Sequence, residues 1–165
     1  GTCKLNVDIF LQAAAYLATV NAETFEDAYV CVIHPYAAYD VKTSKGFEEW
    51  NKYTTPDKMW KGEIGRIGDI RFVENSEAKI LKDETCPEDL AVYCTMVIAA
   101  HAYGVTEVEG GGLQHIVKQL GAGEDPLDQR STVGWKAIKT AERLVEQYMI
   151  RIESCGFKSG TVTAN

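Results

Sequence analysis

The sequence predicts an α+β fold, and three observations carry that prediction. A clearly amphipathic helix opens the chain at Asn6–Asn21. Short runs rich in β-branched and aromatic residues follow, at Ala28–Ile33, Asp69–Glu74 and Leu90–Ala100. Glycine and proline punctuate the chain between them. The 165 residues, 45% hydrophobic and 25% charged, suit one soluble globular domain, or one domain with a protruding piece of another.

In the first helix, Ile9, Phe10, Ala13, Leu17 and Val20 fall on one face at 3.6 residues per turn. Asn6 can cap its N-terminus, and Asp8 suits the positive end of the dipole. The alanines at 13–15 favour helix and allow another backbone to approach closely. The run Ala28–Ile33 reads as a strand covered on both faces and stopped by His34-Pro35. Pro35 then fits the first position of a helical turn through Tyr39. Phe47, Trp50 and Tyr53 lie at helical spacing in Phe47–Tyr53, and Thr55-Pro56 ends that segment.

Gly62–Glu74 reads as a glycine-punctuated turn entering a strand at Asp69–Glu74. Asn75–Glu88 is polar, ends in Cys86-Pro87, and reads as a surface excursion or flexible hairpin. Leu90–Ala100 is the most hydrophobic run and reads as a buried central strand, although its pattern also accommodates a helix. Tyr103–Val108 continues it in extended form, Gly110–Gly112 makes a flexible tip, and Leu113–Leu120 returns as a strand before Gly121–Asp125. The longest stretch, Asp125–Glu153, is two-sided. Ala137, Ile138, Ala141, Leu144, Val145, Tyr148, Met149 and Ile152 recur at helical intervals, whereas Val133, Trp135 and Ala137 alternate as in a strand. Pattern alone leaves Lys136–Ile152 open between helix and strand.

A formal charge of −7 argues against a face that grips nucleic acid. No apolar run approaches a membrane span, and Val7–Val20, with Asp8 and Gln12 and no basic segment before it, is not a signal peptide. The opening Gly-Thr-Cys, without Met, suggests a trimmed product. Cys3, Cys31, Cys86, Cys94 and Cys155 are odd in number and contain no CxxC pair, so they read as buried or incidental thiols of a reducing compartment.

Candidate chemistry is sparse. Gly62, Gly65 and Gly68 follow a GxxGxxG spacing, yet Gly68 precedes Asp69 and a strand, where a phosphate loop needs a helix N-terminus. Tight turns explain these glycines better. His34, His101 and His115 are scattered and show no metal-ligand spacing. Cys31 and His34, three apart on a strand, would point to opposite faces and so form no catalytic pair. The clusters Glu23, Glu26 and Asp27, Glu48 and Glu49, and Glu84, Glu88 and Asp89 lack the alternation of a calcium loop and read as solvated faces. Phe47, Trp50, Tyr53 and Trp60 read as packing aromatics rather than a ligand site. No catalytic, cofactor-binding or metal residue emerges, no cofactor is expected, and the expectation is a non-enzyme.

Four stretches reach further: GEIGRIGDIRFVE at Gly62–Glu74; VYCTMVIAAHAYGVTEV at Val92–Val108; DPLDQRSTVGWK with MIRIE, at Asp125–Lys136 and Met149–Glu153; and the first helix followed by YVCVIHPYAAYDV at Tyr29–Val41. In this order and spacing the chain resembles the C-terminal part of major capsid proteins of tailed bacteriophages, in particular a podovirus-like group found in prophages. The resemblance spans nearly the whole chain and rests on no single diagnostic motif.

The resemblance implies the tailed-phage major capsid fold, shared with herpesvirus capsid floors and encapsulins. Its axial domain would hold a central mixed sheet with flanking helices, beside part of a peripheral domain with a spine helix and long C-terminal strands. Residues 1–24 would be the end of the spine helix, 25–122 the axial domain, and 123–165 the return to the peripheral domain. This would make the chain a C-terminal fragment without the arm and extended loop, and Lys136–Ile152 extended rather than helical. The implied role is a structural head subunit that associates with copies of itself into pentamers, hexamers and shell around DNA. Scaffold and portal would be further partners, with no specific nucleic-acid sequence and no membrane. Its place would be the virion, after synthesis in the bacterial cytoplasm. Trp135, Arg130, Gly65 and Gly68 are the structural residues singled out, and Gly110–Gly112 a tip that orders against neighbours. The alternatives are a nucleotide-binding or enzymatic domain using Gly62–Asp69, or an encapsulin-like shell or tail protein.

Overall fold

The structure, a computed structural model, describes residues 4–44, 46, 63–82, 90–107, 111–121, 127 and 129–165. The expected helix at Phe47–Tyr53 and the residues Gly62, Cys3, Cys86, Trp50, Trp60, Gly110, Glu48, Glu49, Glu84, Glu88 and Asp89 lie outside the described residues. By its internal contacts the chain forms two units, 1–102 with 145–165, and Tyr103–Leu144.

The first unit is built on helix α1, Val7–Thr19. Asn6 caps it as its side chain accepts the Ile9 N–H at 3.1 Å. Phe10, Ala13 and Leu17 are buried, with Ile9 and Val20 packed at the margin, so the face read from spacing is the face that meets the core. Phe10 meets Phe72 edge-to-face at 4.9 Å between ring centroids, a geometry that adds to the area the two rings bury. Strand β1, Tyr29–Ile33, buries Tyr29, Cys31 and Ile33 on one face and half-covers the residues between. Pro35 begins α2, Pro35–Lys42, which runs three residues beyond the turn to Tyr39 read from the sequence. His34 caps it by accepting the Tyr36 N–H on Nδ1 at 3.2 Å.

The glycine-punctuated stretch is a hairpin rather than a turn entering one strand. Strands β2, Glu63–Ile67, and β3, Ile70–Glu74, pair antiparallel with Ile67 opposite Ile70. The loop is Gly68-Asp69, and Gly68 holds a φ of +55° that a side chain would strain. A register shift between Glu63 and Gly65 marks a β-bulge, which a glycine accommodates. Asp27 ties the hairpin down by ion-pairing with Arg66 and, at 3.1 Å, with Arg71. That pairing corrects the reading of Glu23, Glu26 and Asp27 as a purely solvated face.

Strand β4, Ile80–Leu81, lies inside the segment expected to be a surface excursion, where it pairs with β5, Val92–Ile98. The residues before it form the turn, with Glu77 N–H bonded to the Asn75 side chain at 2.9 Å. The final strand β10, Met149–Ser154, pairs antiparallel with all but one residue of β5. The mixed sheet runs β10-β5-β1-β3-β2, with β1 and β3 parallel and the other pairs antiparallel. β4 shares with β1 the edge of β5 away from β10, since Tyr93 lies opposite both Ile80 and Ser154. Tyr93, Cys94, Thr95 and Val97 are buried, as expected of a central strand covered on both faces.

The second unit consists of paired ribbons. Strands β6, Tyr103–Val105, and β9, Ala141–Arg143, pair, as do β7, Gln114–Lys118, and β8, Thr132–Lys136. Residues 136–152 therefore hold parts of three strands, joined by irregular segments and one 3-10 turn at Glu146–Tyr148. The helical recurrence of their apolar residues is not realised as a continuous helix. The C-terminal strands have five, three and six residues and three different partners, shorter and more divided than the long strands expected.

Candidate functional site

The β7–β8 ribbon has an exposed face of unusual composition. Side chains alternate along a strand, and residues directly opposite across an antiparallel pair share a face. His115 lies opposite Trp135 and Val117 opposite Val133, so these four share one face. Gln114, Ile116, Lys118, Thr132 and Lys136 share the other, with Gly134. Trp135 is 75% exposed and Val133 70%. A sequence that alternates apolar and polar residues ordinarily buries its apolar side; here that side faces solvent.

The whole second unit shares this condition. Among its described residues no hydrophobic side chain is buried, while Leu113, Leu127, Ile138 and Leu144 are all more than half exposed. An open groove of about 320 Å³ between residues 105–107, 111–113 and 137–139 is lined largely by apolar side chains, with Glu107 and Lys139 at its polar margin. Hydrogen bonds hold the groove's walls together: Thr106 N–H to Thr140 O at 2.9 Å and Ile138 N–H to Gly111 O at 2.8 Å. Two-stranded ribbons without a covered hydrophobic face are marginal in water. Exposed apolar area of this kind marks an interaction surface.

The other singled-out residues have structural places. Arg130 is exposed just before β8, and Gly111 and Gly112 adjoin the groove. Gly65 and Gly68 serve the β2–β3 hairpin; Gly68 leads through Asp69 into a strand, so no helix N-terminus stands there to receive a phosphate. His34 is buried, stacks on Tyr93 at 5.3 Å, and is pushed below the usual histidine range by burial. Cys31 is fully buried and its thiol is pushed far up by desolvation, which makes it inert rather than nucleophilic. His101 is exposed near Glu23 at 3.4 Å, and His115 lies on the ribbon. Among the described residues no group of three His, Cys, Asp or Glu side chains could hold a metal, and no helix is long and apolar enough to cross a membrane.

A feature that sequence reasoning missed is the clasp at the C-terminal turn. The buried Asp40 of α2 accepts the Phe157 N–H at 3.0 Å, and Tyr93 donates its hydroxyl to Phe157 O at 2.8 Å. A Cβ on Gly156 would collide with the Asp40 carboxylate. No local signal marks this pairing, because its partners lie 117 residues apart.

Solved structures share this fold. The capsid of Ralstonia phage GP4 matches over 93% of this chain at a TM-score of 0.68 and 14% identity. The capsid of Helicobacter pylori bacteriophage KHP30 matches over 92% at 0.63 and 11%, and that of cyanophage Pam1 over 96% at 0.63 and 12%. The fold is a phage capsid fold. The chain spans only 47%, 59% and 48% of those three capsid chains. No protein-family model and no curated protein matches it.

Proposed function

We propose that this chain is part of the structural subunit of a tailed-phage or prophage head, and that it associates with copies of itself into a shell around DNA. The observation that carries the proposal is the joint one of fold and surface. More than nine-tenths of the chain superposes on phage capsid chains, and its second unit exposes apolar side chains that a lone domain would bury. A shell subunit needs no catalytic group; it needs edges that complement copies of itself in rings. The acidic balance of −7 fits a shell that encloses nucleic acid without gripping it.

Within this proposal the earlier division stands as an assignment to test, with 25–122 axial and 1–24 and 123–165 peripheral. Pentamers and hexamers are the expected closed states, scaffold and portal the further partners, and the virion the expected location. The role is structural rather than enzymatic. Electron microscopy of the complete gene product expressed in bacteria tests it: closed icosahedral particles are expected, and uniform monomers or open tubes would refute it.

A further inference from the structure

We propose that the free edge of β10 pairs antiparallel with β10 of a second copy of this chain, about a two-fold axis at Ile152, so that two sheets become one. The inference rests on the self-association proposed above and names a two-fold contact, which a ring of copies does not itself supply. β10 is one rim of the mixed sheet, with β5 as its neighbour. Two hydrogen bonds show which of its backbone groups face outward. Ala99 N–H donates to Tyr148 O at 3.0 Å, so Tyr148 points at β5. Cys94, opposite Glu153, donates its N–H away from β10, to Lys79 O at 3.0 Å. Bonding positions alternate along an antiparallel strand, so Ile150 and Ile152 bond to β5 while Arg151 and Glu153 turn their backbone groups outward. Among the described residues nothing bonds to those outward groups.

An open edge recruits another strand, and charged side chains ordinarily blunt it. Here the charges select one partner instead. Arg151 and Glu153 stand two apart on one face, both exposed, and ion-pair with each other at 2.8 Å. With Ile152 opposite Ile152, Arg151 meets the partner's Glu153 and Glu153 meets the partner's Arg151. Both pairs fall at bonding positions, and both unite opposite charges. Sliding the strands by two residues sets Arg151 against Arg151, or Glu153 against Glu153, and like charges directly opposite are destabilising. An in-register parallel pair brings like against like at both positions. The core-side face agrees with the same partner. Ile150 and Ile152 pack on the core yet stay only partly buried, whereas Val97 and Thr95 opposite them on β5 are fully buried. A second β10 would cover that margin with its own isoleucines. An extended segment of a different chain is the competing occupant, and the test separates it.

The two-fold sets the paired Cα atoms at position 152 about 4.5 Å apart, within the span of a disulfide. Particles of the complete gene product carrying Ile152→Cys are oxidised, digested and mapped by mass spectrometry. A link from position 152 of one copy to position 152 of another is expected. R151E or E153R alone should lower its yield about tenfold, and R151E/E153R should restore it. Both side chains are exposed, so these variants should keep the fold. In particles of the unsubstituted protein, the Arg151 and Glu153 amides should exchange slowly with solvent, as paired amides do. Fast exchange at both amides in such particles overturns the inference and leaves the shell reading intact. Slow exchange without the link, in particles that the Ile152→Cys variant also forms, assigns the edge to a different strand and overturns the inference. Linked dimers that never close into particles support it and overturn the shell reading. Absence of any oligomer overturns both.

Discussion

The clasp between Asp40 and the Gly156–Phe157 backbone gives a quantitative test of the packing. Replacing Gly156 by Ala places a methyl against the Asp40 carboxylate, which is buried and already accepts the Phe157 N–H at 3.0 Å. Gly156 has no positive φ, so alanine meets no backbone strain there and the cost is steric and electrostatic alone. The carboxylate must swing away, which forfeits a charge-assisted hydrogen bond of about 1.5–3 kcal/mol. Asp40→Ala should cost about the same, since it leaves the Phe157 N–H unpaired. In the Asp40→Ala background the methyl finds space, so Gly156→Ala should then cost no more than about 0.5 kcal/mol. The cycle therefore predicts a coupling of about 1–2.5 kcal/mol. Urea unfolding followed by circular dichroism measures each corner. Additive effects, with coupling near zero, would refute the idea that these residues share one contact.

Other substitutions probe the core and the hairpin. Phe10→Ala removes a fully buried ring and its edge contact with Phe72, and should cost about 3–5 kcal/mol by the same unfolding measurement. Gly68→Val forces a β-branched residue to a φ of +55° and should cost about 1–3 kcal/mol, whereas Trp135→Ala should change stability by less than about 0.5 kcal/mol because the ring is 75% exposed. His34 is held below its ordinary pKa by burial, so the unfolded chain takes up its proton first. Its contribution should be complete above about pH 6.5 and lost as pH falls through the lower folded value. His34→Asn, which keeps a capping acceptor, should flatten the stability profile between pH 7.5 and 5.5 by unfolding titrations (both values chosen to bracket roughly pH 6.5). Cys31 should resist alkylation until the protein unfolds globally, as timed by mass spectrometry.

Where apolar spacing met a core, the sequence was legible. Phe10, Ala13 and Leu17 announced their helix because all three bury one stripe. His34-Pro35 marked the end of β1 because proline both stops the strand and starts α2. β2 was hidden by its own glycines: Gly65 at the bulge dilutes the strand pattern, and only pairing with β3 reveals it. β4 is two residues long and owes its existence to the edge of β5. Residues 136–152 misled periodicity for a different reason. Ile138 and Leu144 are exposed while Ile150 and Ile152 pack on the core, so no single buried face governs their spacing. The candidate surface was half visible. Trp135 stood out in the sequence, but its association with His115, Val117 and Val133 needs the register of β7 against β8. That register is a tertiary fact.

The measurement that bears most directly on the shell assignment is a cryo-electron microscopy map of particles formed by the complete gene product. The account predicts a closed icosahedral shell whose repeating density fits the β10-β5-β1-β3-β2 sheet with α1 and α2 against it, and whose neighbouring subunits cover Trp135. A soluble monomer at every concentration, or a shell in which Trp135 and Val133 stay open to solvent, would contradict it.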